Sequence, residues 1–170
     1  MNKIIYLDHA ATTAVDELVI KEMIPYFGIE YGNASSLYSI GRSAKRAVEE
    51  SRRKVAKEIN ADTKEIYFTS CGSESDNLAI KGVAYANREK GNHIITSKIE
   101  HHAVTESCEF LEKQGFRITY LNVDEKGFVN LEELENSICE DTILISIMFA
   151  NNEIRNYRAY KTNWRNSKKT

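Results

Sequence analysis

The sequence predicts an α/β fold in which a parallel sheet carries helices on both faces. Strand-like apolar segments alternate with amphipathic helical segments between residues 93 and 148. The segment 142–148 is almost continuously apolar, which is typical of a strand buried on both sides. Gly91 and Gly115 each follow a helical segment and act as stop signals before the next strand.

The N-terminal part of the chain predicts an extended arm followed by two helices. Within the arm, residues 1–15, the segment 4–7 is extended or forms a short strand. Asp16 is the expected N-cap of a helix that runs to about Phe27. A polar loop then leads to a long helix from about Ile40 to Ile59, with alternating charges on a solvated face.

A strand, a turn and a helix are predicted next, over residues 66–90. Ile66 to Thr69 are β-branched or aromatic and indicate a buried strand. A helical pattern starts near Glu74, where Ser73 and Asp76 have the spacing of a capping box, and ends near Lys90 and Gly91. The remaining elements alternate in the order strand, helix, strand, helix, strand, and we place them at residues 93–97, 103–114, 116–121, 131–138 and 142–148.

The turn after Thr69 is a candidate anion site. A strand that passes through small residues into a helix directs several unpaired N–H groups and the positive end of the helix to one point. A phosphate fits there, and Ser70 and Ser73 add hydroxyl donors. Taken alone, the turn favours an ordinary capped helix over a phosphate site, because capped helices are common and phosphate sites are not. No G-x-G-x-x-G or P-loop pattern accompanies it, so a dinucleotide or nucleoside triphosphate site is not supported.

Two further polar clusters follow predicted strands, at residues 97–102 and 151–153. The carboxyl ends of parallel strands meet at one edge of a sheet, where ligands bind in α/β proteins. His101 and Asn152 are therefore candidates for ligand contacts, His101 by stacking or proton transfer and Asn152 by hydrogen bonding. The alternative is a loop histidine beside a helix start and asparagines in a turn.

Composition is that of a globular protein, with 42% hydrophobic and 28% charged residues and no membrane-spanning run. The three cysteines have no C-x-x-C spacing, so neither a disulfide framework nor a zinc site is indicated, and a cytoplasmic location is expected. Residues 155–170 differ from the rest, with six of the 23 basic residues, none of the 25 acidic ones and the single Trp.

Several motifs resemble the NifS/IscS-type cysteine desulfurases, enzymes of the class V aminotransferase group that use pyridoxal 5′-phosphate (PLP). The similarity covers residues 4–154 in order. The motifs that carry it are YLDHAATT (6–13), GNASS (32–36), FTS through ESDNLA (68–79), HIITS through EH (93–101) and ANNEI (150–154).

This resemblance implies a fold-type I PLP enzyme, of which residues 16–154 form the front part of the large domain. It implies a homodimer that converts L-cysteine to L-alanine and passes the sulfur, as an enzyme persulfide, to an acceptor or scaffold protein for iron–sulfur cluster or thiolation pathways. Gly72 and Ser73 would hold the cofactor phosphate, His101 would stack over the ring, and Asn152 would contact its phenolic oxygen. No metal, nucleic acid or membrane is expected as a ligand.

Two residues depart from the family pattern beside the phosphate turn. The family usually has threonine at Ser73, which preserves the hydroxyl, and glycine at Cys71. We expect Cys71 to be a packing residue and not a nucleophile.

The family's Schiff-base lysine, its pyridine-paired aspartate and its sulfur-accepting cysteine lie beyond the ANNEI motif. The 170-residue chain alone is therefore expected to be inactive. The alternatives are another class V PLP enzyme such as a selenocysteine lyase, or a non-catalytic truncated product that binds phosphate or a full-length homologue.

The resemblance stops at Arg155. A chosen back-translation of the following residues, shifted by one base, reads GTIEPIKQIGEIAKK, which resembles the family's continuation. We hypothesise an out-of-frame, unstructured tail over 155–170, which resequencing of the gene would test. The rival interpretation is a basic nucleic-acid-binding extension in which Tyr157, Tyr160 and Trp164 stack on bases.

Overall fold

The computed structural model describes residues 5–153, and the tail hypothesised above lies outside the described residues. The chain divides into two compact units, Met1–Phe68 and Thr69–Thr170. No helix among the described residues is both long and apolar enough to cross a lipid bilayer.

The first unit contains the two predicted helices, α1 (Glu17–Gly28) and α2 (Ser39–Glu58). Asp16 is the N-cap of α1, since its Oδ1 accepts a hydrogen bond from Leu18 N at 2.8 Å. Residues 5–15 form neither helix nor strand, as expected for an arm. Loop 33–36 packs so closely on Gly41 of α2 that a side chain there would collide with backbone carbonyls.

The predicted strand at residues 66–69 is wrong. A short 3₁₀ helix, Thr63–Glu65, precedes an extended segment that joins no sheet within residues 5–153. The segment is held instead by Arg52 of α2, whose guanidinium donates to Ile66 O and lies 5.1 Å from the centre of the Phe68 ring. The extended backbone of Ile66 agrees with the pattern of β-branched and aromatic residues, but a strand also needs a neighbour to pair with.

The second unit is the predicted α/β sandwich. It contains α3 (Gly72–Ala86), α4 (His102–Lys113) and α5 (Leu131–Ser137), and β1 (His93–Ser97), β2 (Arg117–Leu121) and β3 (Thr142–Ser146). The strands are all parallel, in the spatial order β2-β1-β3. All five residues of the central strand β1 are buried.

Helices cover both faces of this sheet. On one face, Ile94 of β1 packs with Ile80 and Ala84 of α3 and with Leu111 of α4. On the other face, the adjacent residue Ile95 packs with Leu121 and with Leu134 of α5. Successive side chains of a strand point to opposite faces, so a continuously apolar strand is the consequence of having helices on both.

Two predicted boundaries differ from the structure. Helix α3 begins at Gly72, after the N-cap Cys71, so the predicted capping box of Ser73 and Asp76 is wrong. The helix also ends at Ala86, and turns occupy residues 87–90 before the predicted stop at Gly91. The glycine follows those turns and lies against the backbone of Asp141, where a side chain would not fit.

Candidate cofactor site at the carboxyl edge of the sheet

The segments that follow β1 and β3 lie side by side at the carboxyl edge of the sheet. Because these strands are adjacent and parallel, the segments that follow them leave the sheet on the same side. Asn151 Nδ2 donates to Ile99 O at 2.8 Å, and Met148 N donates to both Glu100 carboxylate oxygens, at 2.9 and 3.1 Å. The structure thus brings together two of the three polar clusters found in the sequence.

Glu100 is the centre of this contact. Its Oε1 also accepts a hydrogen bond at 2.5 Å from the hydroxyl of Ser97, the fully buried last residue of β1. One carboxylate therefore joins the end of β1 to the segment after β3. Glu100 is not among the binding residues predicted from the sequence. The available signal was its position three residues after Ser97, a spacing at which two side chains can hydrogen bond across a tight turn.

His101 is the N-cap of α4. Its Nδ1 accepts a hydrogen bond from Ala103 N at 3.1 Å, so in the neutral ring the proton lies on Nε2. The ring is exposed and meets the His102 ring edge to face at 6.2 Å between centroids. The capping hydrogen bond fixes the His101 ring through Nδ1 and leaves Nε2 to donate a hydrogen bond to a ligand.

Asn151 and Asn152 have different environments. Asn151 is buried, and besides its bond to Ile99 its Oδ1 accepts from Glu153 N at 2.7 Å. Asn152 is exposed, and its Nδ2 lies 3.0 Å from Glu153 Oε1. The buried asparagine therefore shapes the turn, and the exposed one presents its amide to solvent at the same edge.

From the direction of α3 along β1 we infer that the start of this helix lies toward the same edge. Arg88, just beyond the other end of the helix, donates to Gln114 O, and residues 87–92 lead directly into the first residue of β1. Ile80 and Ala84 in the second half of α3 pack against β1. A helix that enters the amino end of a strand and packs along it has its own N-terminus toward the carboxyl end, which is where Gly72 and Ser73 begin α3.

In the turn before α3, the side chains of Glu74 and Cys71 both accept a hydrogen bond from the Ser70 hydroxyl. Glu74 Oε2 accepts from Ser70 N and from Ser70 Oγ, both at 2.6 Å, and these bonds lower the pKa of its carboxyl group. The Cys71 sulfur accepts from Ser70 Oγ at 3.8 Å, and the nearby Glu74 N–H, the Ser70 hydroxyl and the Ser73 N–H lower the pKa of its thiol. Around Gly72, no atom lies within 4 Å of the position a side chain would take.

The expectation that Cys71 is a packing residue is wrong. Its side chain is exposed, while Cys108 of α4 is the buried cysteine of this unit. Cysteine is usually a buried residue type. Cys71 is exposed because it precedes the first turn of α3, whereas the buried residues of that helix, Ile80 and Ala84, lie further along it.

Comparison with known proteins places these features in a family. Residues 5–159 match the family described as aminotransferase class-V. A protein named cysteine desulfurase IscS from Clostridium botulinum is 57% identical over 154 residues, which are 91% of this chain and 39% of that relative. The chain thus spans about two fifths of the length of the curated relatives it matches.

Solved structures of other proteins are also similar to this chain. A structure described as a NifS-like protein superposes with a TM-score of 0.91 at 43% identity, covering 95% of this chain and 44% of that one. Another, described as SspA in complex with cysteine, gives a TM-score of 0.82 at 39% identity, covering 87% of this chain and 43% of that one.

Proposed function

The chain belongs to the class V aminotransferase family, in which its high-identity relatives are cysteine desulfurases, and on this premise we propose that it supplies the cofactor-binding edge of a PLP-dependent cysteine desulfurase. The observation that supports this most directly is the meeting of the segments after β1 and β3, through Glu100 and Asn151, beside the exposed His101 and Asn152. Such an edge is where α/β sheets bind ligands.

The residues at the start of α3 fit the phosphate of such a cofactor. The helix N-terminus is exposed, and the open space around Gly72 lets an anion approach the backbone closely. Cys71, the N-cap of α3, makes no side-chain capping hydrogen bond, so its side chain does not compete with a phosphate oxygen for the first N–H groups of the helix. We propose that Gly72 and Ser73 hold the phosphate, with the Ser73 hydroxyl as a further donor.

His101 and Asn152 would act on the ring side of the cofactor. With Nδ1 fixed by Ala103 N, the His101 ring can stack on a planar ligand while Nε2 donates or accepts a proton. Asn152 can donate a hydrogen bond from its amide to an oxygen of the cofactor. PLP, when bound, supplies an electron sink for bond breaking at the substrate's α-carbon.

The activity proposed for the whole protein is removal of sulfur from L-cysteine. The products would be L-alanine and a persulfide whose sulfur is passed to an acceptor or scaffold protein, for iron–sulfur cluster assembly or thiolation. We further propose a cytoplasmic homodimer. The division proposed from the sequence remains the same: an arm at residues 1–15, a large-domain part at 16–154 and a tail at 155–170.

A graft tests whether this edge works as proposed. Residues 5–153 of this chain would replace the matching segment of the Clostridium botulinum relative, since 57% identity makes the exchange conservative. We expect the graft to bind PLP and to release sulfide from L-cysteine. His101→Ala should lower sulfide release by about a hundredfold or more, because a positioned acid–base group is lost. Ser73→Ala should weaken PLP binding in equilibrium dialysis.

The matched control is Glu106→Gln, which changes an exposed residue on α4 and should leave both readouts unchanged. An inactive graft that is folded, or an active graft indifferent to His101→Ala and Asn152→Ala, would contradict the proposal. The same assay with L-selenocysteine distinguishes a selenocysteine lyase from a desulfurase.

A further inference from the structure

A second cluster of potential ligands lies at the opposite, amino edge of the sheet. His93 is the first residue of β1, and Cys139 and Asp141 lie in the turn that leads into β3. Cys139 Sγ is 3.3 Å from His93 Nδ1 and 2.9 Å from Asp141 Oδ1. One ligand atom from each residue lies within 4.8 Å of the other two.

We propose that His93, Cys139 and Asp141 bind a thiophilic divalent cation, for which Zn²⁺ is the best match. Imidazole, thiolate and carboxylate are the three zinc ligands used in proteins, and in a tetrahedral site with bonds of about 2.0–2.3 Å the ligand atoms lie roughly 3.3–3.7 Å apart. The two separations from Cys139 Sγ, 3.3 Å to His93 Nδ1 and 2.9 Å to Asp141 Oδ1, lie near that spacing. Three protein ligands leave one position for water.

His93 is prepared for this role. Its side chain is completely buried, and its ring is fixed at both nitrogens, with Nε2 2.8 Å from Thr119 Oγ1 and Nδ1 2.8 Å from Thr142 Oγ1. When Nε2 donates to Thr119, as the second nitrogen of a metal-bound histidine usually does to a neighbour, the Nδ1 lone pair accepts from the Thr142 hydroxyl and becomes available to a metal when that hydroxyl turns away.

The backbone holds the three residues in register. His93 N donates to Asp141 O at 2.9 Å, and His93 is the sheet partner of Thr142. Cys139 N donates to Thr142 Oγ1 at 2.9 Å, which fixes the start of the turn. The ligands are therefore positioned by β1 and by the turn before β3, and do not depend on a free loop.

The positively charged Arg117 side chain lies where the proposed metal cation would bind. Its Nη2 lies 3.1 Å from Cys139 Sγ and 3.0 and 3.2 Å from the two Asp141 oxygens. The Arg117 and Asp141 side chains are 52% and 44% exposed, so water can replace these contacts at little cost. When the metal binds, the Cys139 thiol releases its proton to solvent and the guanidinium moves out to solvent.

Metal titration of the 170-residue chain tests this inference, which is independent of the proposed function. We expect one Zn²⁺ per chain in equilibrium dialysis, and Co²⁺ should give a near-ultraviolet thiolate-to-metal band. Cys139→Ser and Asp141→Asn should each weaken Zn²⁺ binding by about tenfold or more. Arg117→Ala should tighten it, because the competing charge is removed.

Cys71→Ser is the matched control, since it removes the other exposed thiol and should change neither the stoichiometry nor the Co²⁺ spectrum. The proposal is overturned if the wild-type chain binds no Zn²⁺, if the Co²⁺ band persists in Cys139→Ser, or if Arg117→Ala weakens binding. Because Arg117→Ala is expected to act in the opposite direction from the ligand variants, a general loss of folding cannot imitate the expected pattern.

Discussion

Cys71 and Cys108 place the same thiol in opposite surroundings. Cys71 is exposed at the start of α3, where the nearby Glu74 N–H, the Ser70 hydroxyl and the Ser73 N–H stabilise the thiolate and lower the pKa of the thiol. Cys108 is fully buried in α4, and burial raises the pKa of its thiol to about 11. Position along a helix therefore decides which of the two is chemically available.

The first prediction concerns these thiols. Iodoacetamide should alkylate Cys71 in the native chain and leave Cys108 unmodified, because only the exposed thiolate is both present and accessible. A lowered pKa means that the thiolate persists to lower pH, so the alkylation rate of Cys71 should reach half its maximum below the pH at which an unperturbed cysteine thiol does. Peptide mass spectrometry across a pH series measures both. An identical pH profile for Cys71 and a short cysteine peptide would contradict the prediction.

At the scale of elements, the Glu100 carboxylate links the end of β1 to the segment after β3. It accepts bonds from Ser97 Oγ and Met148 N, and Asn151 adds a second link to Ile99. Hydrogen bonds to a charged acceptor contribute more than neutral ones, and losing one partner leaves partly buried donors unsatisfied. The positions of His101 and Asn152 thus depend on a residue that need not touch a ligand.

We therefore predict that Glu100→Gln destabilises the chain by about 1.5–3 kcal/mol, since the amide has one acceptor oxygen where the carboxylate uses both of its oxygens to bond Ser97 Oγ and Met148 N. Urea unfolding followed by circular dichroism measures the change, with the exposed Glu106→Gln on the neighbouring helix as control. In spectra of the folded variant, the amide signals of residues 147–153 should shift more than those of α5. Equal stability of the two variants would show that the carboxylate is not a structural link.

At the scale of the whole molecule, buried apolar side chains are distributed unevenly between the two units. Helix α1 has no buried residue, and the buried residues of α2 are Gly41, Ala44 and Ala56, all small. In the second unit, both faces of β1 are packed with larger side chains such as Leu111 and Leu121. Local stability follows the apolar area that each element buries.

Amide hydrogen exchange should report this difference. We predict the slowest exchange in β1, whose amides pair within the sheet and whose residues are all buried, and much faster exchange in α1 and α2. Mass spectrometry of peptides after increasing exchange times makes the comparison. Protection of α1 equal to that of β1 would mean that its apolar residues are covered in solution.

Much of the fold could be predicted because the signals are local. The period of apolar residues identified five helices and three parallel strands, and their ends were correct within a few residues. Asp16 was recognised as a cap because its bond to Leu18 N joins neighbours in sequence. The edge that carries His101 and Asn152 followed from the direction of parallel strands alone.

The errors came from contacts between distant residues. Ile66 to Thr69 have the composition of a strand, but pairing depends on a neighbour that composition does not reveal. Cys71 has the chemistry of a buried residue, but its exposure depends on which turn of α3 meets the sheet. Cysteine spacing also does not reveal that folding places His93 beside Cys139, 46 residues further along.

The amino-acid order by itself thus determined the elements, the fold class and the family motifs, because hydrophobic period, caps and turn residues act over a few positions. Only the tertiary structure decided which side chains share an environment: Glu100 with Met148, and Arg117 with Cys139 and Asp141. The physical reason is that such contacts arise from the register of adjacent strands and the packing of helices upon them, and these are properties of the assembled sheet.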